Sequence, residues 1–189
     1  MKPLEKLDKL VRRIPHFPKE GIIFYDITTL IKDADGFRIA VDMLADRFKK
    51  DKIDLVAGME ARGFIFGAAV ALKLGTGFIP IRKPGKLPGK SISETYQLEY
   101  GKDTLEIHVD AIHEKKSRIL LIDDLLATGG TLEASAKLVE KLGGTVVACG
   151  VVIELTFLPG RERLKKYKLE SLIQYRSEEV ESWDEVFPV

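Results

Sequence analysis

Cysteine is almost missing from this chain: Cys149 stands alone. One thiol excludes an intramolecular disulfide and a multi-cysteine zinc site. It falls in the apolar run 146–153, where a small buried hydrophobe is expected. Histidine is scarce too, and His16, His108 and His113 are scattered without ligand spacing, which argues against zinc. Neither sign of charge is in excess: 30 basic and 29 acidic residues leave a net charge of +1. A chain that gripped duplexes by neutralising phosphates would be more basic, so no nucleic-acid partner is expected. Long apolar runs are absent as well. None reaches the length of a membrane span. The charged start, Met1 to Arg13, does not read as a signal peptide. Repeats and low-complexity segments are lacking. A cytosolic protein with no membrane partner is expected.

What is present fits an ordinary globular protein, with 45% apolar and 31% charged residues. At 189 residues the chain favours one domain and can bury a core without staples. Leu4, Leu7, Leu10, Val11 and Ile14 recur at helical spacing and predict a short opening helix, broken by Pro15 and Pro18. The segment 21–31 is apolar and aromatic with little regular period. Phe37, Ala40, Val41, Leu44, Ala45 and Phe48 mark one face of a second helix, capped by Asp33 or Asp35.

From Ile53 onward short apolar runs alternate with helical stretches. Strands are expected over 53–57, 78–81, 118–122 and 145–155, and helices over 64–74 and 130–142. That order is the repeating unit of a parallel sheet and predicts an α/β protein with an open sheet. Segments 95–100 and 104–109 alternate about Gly101-Lys102, which suggests a hairpin. From Ser177 the chain carries Glu178, Glu179, Glu181, Asp184 and Glu185 with no basic residue, and reads as a solvated tail.

The most informative stretch is 118–131. A buried strand runs into Asp123 and Asp124, then Leu125, Leu126, Ala127, Thr128, Gly129, Gly130 and Thr131 open a helix. Ligands of open α/β sheets bind beyond the carboxyl ends of strands. A helix start offers unpaired N–H groups and the positive end of a dipole to a phosphate. Gly129 and Gly130 let backbone approach the anion closely. Thr128 and Thr131 add hydroxyls. The two acids do not suit a phosphate; they suit hydroxyl donors such as a ribose diol. The segment 85–91 superficially resembles a P-loop, but only three residues separate its glycines where four are needed, and Pro88 lies inside it. No G-x-G-x-x-G fingerprint is present.

Arg82, Lys83, Lys86 and Lys90 fall in a segment without acids, and Pro84, Gly85, Pro88 and Gly89 exclude a helix or central strand there. A mobile cationic loop over 83–96 is expected, closing over a polyphosphate. Glu60, Ala61, Arg62 and Gly63 follow the strand at 53–57, so Arg62 is expected to face the same crevice and grip phosphate oxygens.

The apolar strand, Asp123-Asp124, two apolar residues and Ala127-Thr128-Gly129-Gly130-Thr131 resemble the phosphoribosyl-diphosphate motif of type I phosphoribosyltransferases. Segments 58–64, 81–89, 96–101, 17–24, 153–155 and 159–161 narrow the resemblance to the adenine phosphoribosyltransferases, over roughly residues 4 to 175. The resemblance implies a type I phosphoribosyltransferase fold: one domain, 1–189, with a small hood (about 1–34), a core (about 35–175), a flexible catalytic lid and a C-terminal tail (176–189). It implies transfer of a 5-phosphoribosyl group from phosphoribosyl diphosphate to adenine, giving AMP and diphosphate. The same resemblance implies the residue roles. Ala127 to Thr131 would hold the 5-phosphate, and Asp123 and Asp124 the ribose hydroxyls. Glu60, Ala61, Arg62, Arg82, Lys83 and Lys86 would meet the diphosphate, with the peptide after Glu60 in cis. Glu99 would handle the proton at the imidazole edge of the purine, with Arg62 as its catalytic companion. Ile23, Phe24, Tyr25 and Leu125 would enclose the base.

Magnesium is implied, carried by substrate oxygens with no direct protein cage. A homodimer is implied, with Arg82 or the lid near the partner's site. Tyr25 stands where family members often carry Arg or Lys, so the main chain at Ile23 and Tyr25 is expected to read the base. The alternatives are a 6-oxopurine enzyme and a non-catalytic regulator that senses phosphoribosyl diphosphate. The second would need an added nucleic-acid module, and too few residues precede the core for one.

Overall fold

The computed structural model describes residues 2–97 and 101–177. Its elements, in order, are α1 (Pro3–Leu10), β1 (Arg12–Pro15), β2 (Ile23–Asp26), α2 (Thr28–Lys32), α3 (Ala34–Phe48), β3 (Leu55–Met59), α4 (Arg62–Leu74), β4 (Gly77–Ile81), β5 (Ser91–Gln97), β6 (Lys102–His108), β7 (Arg118–Leu126), α5 (Gly130–Lys141), β8 (Thr145–Leu155), α6 (Gly160–Arg163) and β9 (Lys168–Tyr175). Five strands form one parallel sheet in the order β4-β3-β7-β8-β9. Two antiparallel ribbons, β1-β2 and β5-β6, stand apart from it.

The central strand explains the two cores. Along β7, Leu120 and Ile122 face one apolar cluster while Ile119 and Leu121 face the other. Side chains alternate across a strand, so a run buried on both faces reads as continuous hydrophobicity. The first cluster takes α1, α3 and α4 through Leu7, Leu44, Phe48 and Phe66. The second takes α5 and the β5-β6 ribbon through Leu132, Leu138, Leu105 and Ile107. Helix α3 begins where expected, because the Asp33 carboxylate accepts the Gly36 N–H at 2.7 Å.

The order of strands decides where a ligand fits. From β3 the chain crosses to β4 on one side; from β7 it proceeds to β8 and β9 on the other. The crevice beyond the carboxyl ends of β3 and β7 is therefore the switch point of the sheet.

Four expectations need correction. The opening helix stops at Leu10, and Ile14 lies in β1, because Arg12 to Pro15 pairs antiparallel with Ile23 to Asp26. The aperiodic stretch 21–31 thereby contains strand β2 and helix α2. Strand β7 does not end before the acids. Pairing with β8 continues through Asp123↔Val151 to Leu126↔Glu154, so both acids sit within the strand. Finally, the first hairpin strand, expected over 95–100, begins earlier, at Ser91, so the second half of the loop expected over 83–96 is strand β5. It pairs with β6 from Ser91↔His108 to Gln97↔Lys102, and Glu94 ties it to Lys141 at 2.6 Å. Glu99 and most of the acidic tail lie outside the described residues.

Candidate active site

Four segments converge on the switch point: the β3-α4 turn, the end of β7 with the loop into α5, the β2 ribbon strand, and the cationic loop after β4.

Asp123 and Asp124 are 9% and 6% exposed. Burial pushes the Asp123 carboxyl well above the ordinary carboxylate range, and the adjacent Asp124 charge pushes it further. Burial raises Asp124 as well, against the pull of Arg62. Arg62 is the first residue of α4, and its Nε lies 2.7 Å from Asp124 Oδ2. One of the two buried acids therefore has a cation, which lowers the cost of keeping both in the crevice. Helix α4 gets this close because residue 63 is glycine. A Cβ there would lie 2.7 Å from Asp123 Oδ1.

Arg62 also reaches the ribbon. Its guanidinium carbon is 5.5 Å from the centroid of Phe24, whose ring meets Phe17 edge-on at 5.2 Å. Phe24 is partly exposed, whereas its neighbours Ile23 and Tyr25 are 7% and 5% exposed and join the first core cluster. Strand alternation thus gives Phe24 to the crevice and its neighbours to the interior. The Tyr25 ring stacks on Tyr175 at 4.1 Å, packed into the core. Leu125 is partly buried against the same core.

The glycine loop from Ala127 to Thr131 is supported from an unexpected side. Gly129 has φ +79°, a left-handed conformation that favours glycine, and directly precedes α5. A Cβ on Gly129 would lie 3.0 Å from the Gly160 carbonyl, and one on Gly160 would run into the Ala127 carbonyl. The short helix α6 is thus a buttress against the loop. It is moored by Arg161, whose Nε and Nη2 donate to Glu154 Oε1 and Oε2 at 2.6 and 2.5 Å. Glu154, 1% exposed, also accepts from Ser171 Oγ at 2.6 Å. Burial works to raise Glu154, but Arg161 and Ser171 outweigh it and hold the carboxyl below its ordinary value. Residues 153–155 and 159–161 entered the sequence analysis only as matching segments. No local pattern tells that the second lies on the glycine loop.

On the cationic side, Glu60 Oε2 accepts from Arg82 Nε at 3.0 Å and from the Lys83 N–H at 2.9 Å. The Glu60–Ala61 peptide is cis. The Glu60 carboxylate is therefore an anchor for the base of the cationic loop. Lys83 Nζ lies 2.7 Å from Asp103 Oδ2, and Lys86 is exposed. Ala127, Thr128 and Thr131 are partly exposed at the start of α5, where the first turn has no side-chain cap. Among the described residues no group of three or more His, Cys, Asp or Glu could hold a metal ion.

This geometry has relatives. The phosphoribosyl transferase domain family matches residues 28–187. The chain belongs to the phosphoribosyltransferase family. Adenine phosphoribosyltransferase of Koribacter versatilis is 58% identical over 171 residues, covering 90% of this phosphoribosyltransferase and 93% of the relative. The crystal structure of adenine phosphoribosyltransferase from Thermoanaerobacter pseudethanolicus has 53% sequence identity and superposes with a TM-score of 0.88, covering 91% and 99% of the two chains. That of the Saccharomyces cerevisiae enzyme, complexed with an imino-altritol bisphosphate and adenine, is 39% identical with a TM-score of 0.84 over 90% and 98%. The open parallel sheet flanked by helices is the type I phosphoribosyltransferase fold.

Proposed function

We propose that this chain, a single phosphoribosyltransferase domain, transfers the 5-phosphoribosyl group of phosphoribosyl diphosphate to adenine, giving AMP and diphosphate. The observation that carries the reading is the convergence of Asp123 and Asp124, Arg62 and Phe24 on one crevice beside a glycine loop. Identity to enzymes named for adenine supports the choice of base.

In the reaction the C1–O bond to diphosphate breaks and a bond from C1 to a purine ring nitrogen forms. The purine N–H proton passes to a base, for which Glu99 is the assigned residue. Asp123 and Asp124 accept from the ribose hydroxyls. The ribose diol competes with Arg62 for Asp124, so sugar binding frees the guanidinium for the leaving diphosphate. Ala127 to Thr131 and the α5 amino end hold the 5-phosphate. Arg82, Lys83 and Lys86 close from the other side, stabilise developing charge and keep out the water that would capture the sugar cation. Phe24 and Leu125 flank the adenine ring, and main chain at Ile23 and Tyr25 reads its edge. Magnesium, when bound, neutralises diphosphate charge. It is a hard cation that keeps oxygen ligands and water, and it would be carried by the diphosphate and sugar oxygens with no direct protein ligand.

The assembly is a cytoplasmic homodimer. Ile65 and Leu72 leave α4 39% and 83% exposed, two turns apart on a helix that begins at Arg62, and a second copy covers them. No described helix is long and apolar enough to cross a membrane. The deciding experiment is a phosphoribosyl transfer assay with adenine, hypoxanthine, guanine and xanthine. Strong preference for adenine is expected; comparable turnover of hypoxanthine would defeat the assignment. Sedimentation at micromolar concentration tests the dimer, and a fully active monomer would remove it.

A further inference from the structure

Helix α6 touches the glycine loop at both of its ends. Its first residue, Gly160, packs against Ala127 and Gly129 so closely that a Cβ at 160 would run into the Ala127 carbonyl. Its last residue, Arg163, lies along the start of α5. A Cβ on Gly129 would stand 3.5 Å from Arg163 Cδ, and one on Gly130 3.2 Å from Arg163 Nη1. Where α6 sits therefore limits where the loop can sit.

The two ends of α6 are held differently. Just past Arg163, Leu164 is fully buried in the second core cluster. Before Gly160, none of Thr156 to Pro159 is buried. At that end the side-chain hold is Arg161, whose two guanidinium nitrogens reach the two oxygens of Glu154. Glu154 stands opposite Leu126 in the pairing of β7 with β8, one residue before Ala127. A single carboxylate thus ties the strand beneath the loop to the helix packed against it. Strand β9 fixes that carboxylate in turn. Ser171 Oγ donates to it at 2.6 Å, and Gln174 Nε2 donates to it at 3.3 Å and to Ser171 Oγ at 3.0 Å. A buried carboxylate with so many donors stays ionised and in one place. A neutral amide at 154 would offer one acceptor oxygen where Arg161 uses two.

We propose that Glu154 is a positioning residue for the 5-phosphate: through Arg161 it holds Gly160 against Ala127 and Gly129, and so keeps the backbone N–H groups of the loop aimed at the anion. This rests on the reading of 127–131 as the 5-phosphate site. A site built from backbone donors binds by geometry, and it loses affinity when those donors must be ordered by the ligand itself. The effect belongs to one half of the crevice. The contacts of Glu60, Arg82 and Lys83 share no residue with the Glu154 cluster, so the grip on diphosphate does not depend on it.

The test separates two fragments of the substrate. Binding of ribose 5-phosphate and of magnesium diphosphate is measured in wild type, Glu154→Gln, Arg161→Gln and the double variant. Each single change should weaken ribose 5-phosphate about tenfold or more, the scale on which misplaced binding groups lose their effect, and leave magnesium diphosphate unchanged. The double variant should bind ribose 5-phosphate no more weakly than the singles, because both act through one ion pair. In the transfer reaction KM for phosphoribosyl diphosphate should rise while KM for adenine stays. Gly160→Ala keeps the ion pair and pushes on Ala127 directly. It should weaken ribose 5-phosphate with the same selectivity, and it carries the test if Glu154→Gln does not fold. Variants that melt lower but bind ribose 5-phosphate as wild type does, or that lose both fragments equally, would overturn the positioning role and leave the site reading intact. Wild type that fails to bind ribose 5-phosphate would overturn both.

Discussion

The two halves of the crevice are held in opposite ways. Asp123, Asp124 and the loop to Thr131 grow out of β7, which is paired on both sides, by β3 and β8, and backed by α6 through Gly160. Arg82 to Lys90 leaves the sheet at its edge strand, β4; backbone bonds tie its two ends, Arg82 to Glu106 and Lys90 to Val109, and between them it rests on side-chain contacts such as Glu60 with the Lys83 N–H and Asp103 with Lys83. The first half places buried carboxylates where the sheet leaves them little freedom. Between those ends the second can open, because a half-exposed pair such as Lys83–Asp103 contributes little to stability and exchanges easily for other oxygens. On the proposed function, a sugar that must be oriented falls to the rigid half, and a diphosphate that must leave falls to the loose one.

The sharpest way to break this contrast is to disarm the rigid half. Asp123→Asn with Asp124→Asn should lower turnover by ~10²–10³, the usual scale for lost charge stabilisation in such sites. The fold should survive, as judged by circular dichroism. Near wild-type turnover would mean that the sugar sits elsewhere. A smaller effect is expected on the loose half. Glu60→Gln removes the charge that holds Arg82 and the Lys83 N–H. A charge-assisted hydrogen bond is worth about 1.5–3 kcal/mol, so KM for phosphoribosyl diphosphate should rise about tenfold or more. An unchanged KM would show that the loop needs no such anchor.

The third prediction concerns stability without ligand. The folded-state carboxyl of Asp123 is raised, so the folded chain takes up this proton before the unfolded chain does. The stability linked to it is present at low pH and lost as pH rises from the ordinary carboxylate value through the raised one. Asp123→Asn cannot lose it. That variant should melt about 2–4 °C higher at neutral pH for each kcal/mol regained, and the gap should close in acid. A gap that persists in acid would show that ionisation of Asp123 is not its cause. The smallest effect is expected at Tyr25. Its ring is stacked on Tyr175, so Tyr25→Phe should leave the preference for adenine over hypoxanthine intact. Loss of selectivity would show that the hydroxyl, not the main chain, reads the base.

Much of this was legible in the residues themselves. Asp33, one of two acids that could cap α3, does so, and the run Thr145 to Leu155 gave β8 its full span, because caps and hydrophobic period act over a few neighbours. The acids, glycines and threonines of 123–131 pointed to the phosphoribosyltransferase family by type and spacing alone. Only tertiary structure could carry β7 through Asp123 and Asp124, since partnership with β8 outvotes the turn character of two adjacent acids. It alone could turn the aperiodic stretch after Gly21 into a strand whose partner begins at Arg12, and seat Tyr25 on Tyr175, 150 positions away. It alone could bring Gly160 against Ala127 and Tyr96 against Thr131. Local sequence fixes what a segment can donate, accept or bury. Which segment receives it depends on how the sheet orders its strands, and that information is spread over the whole chain.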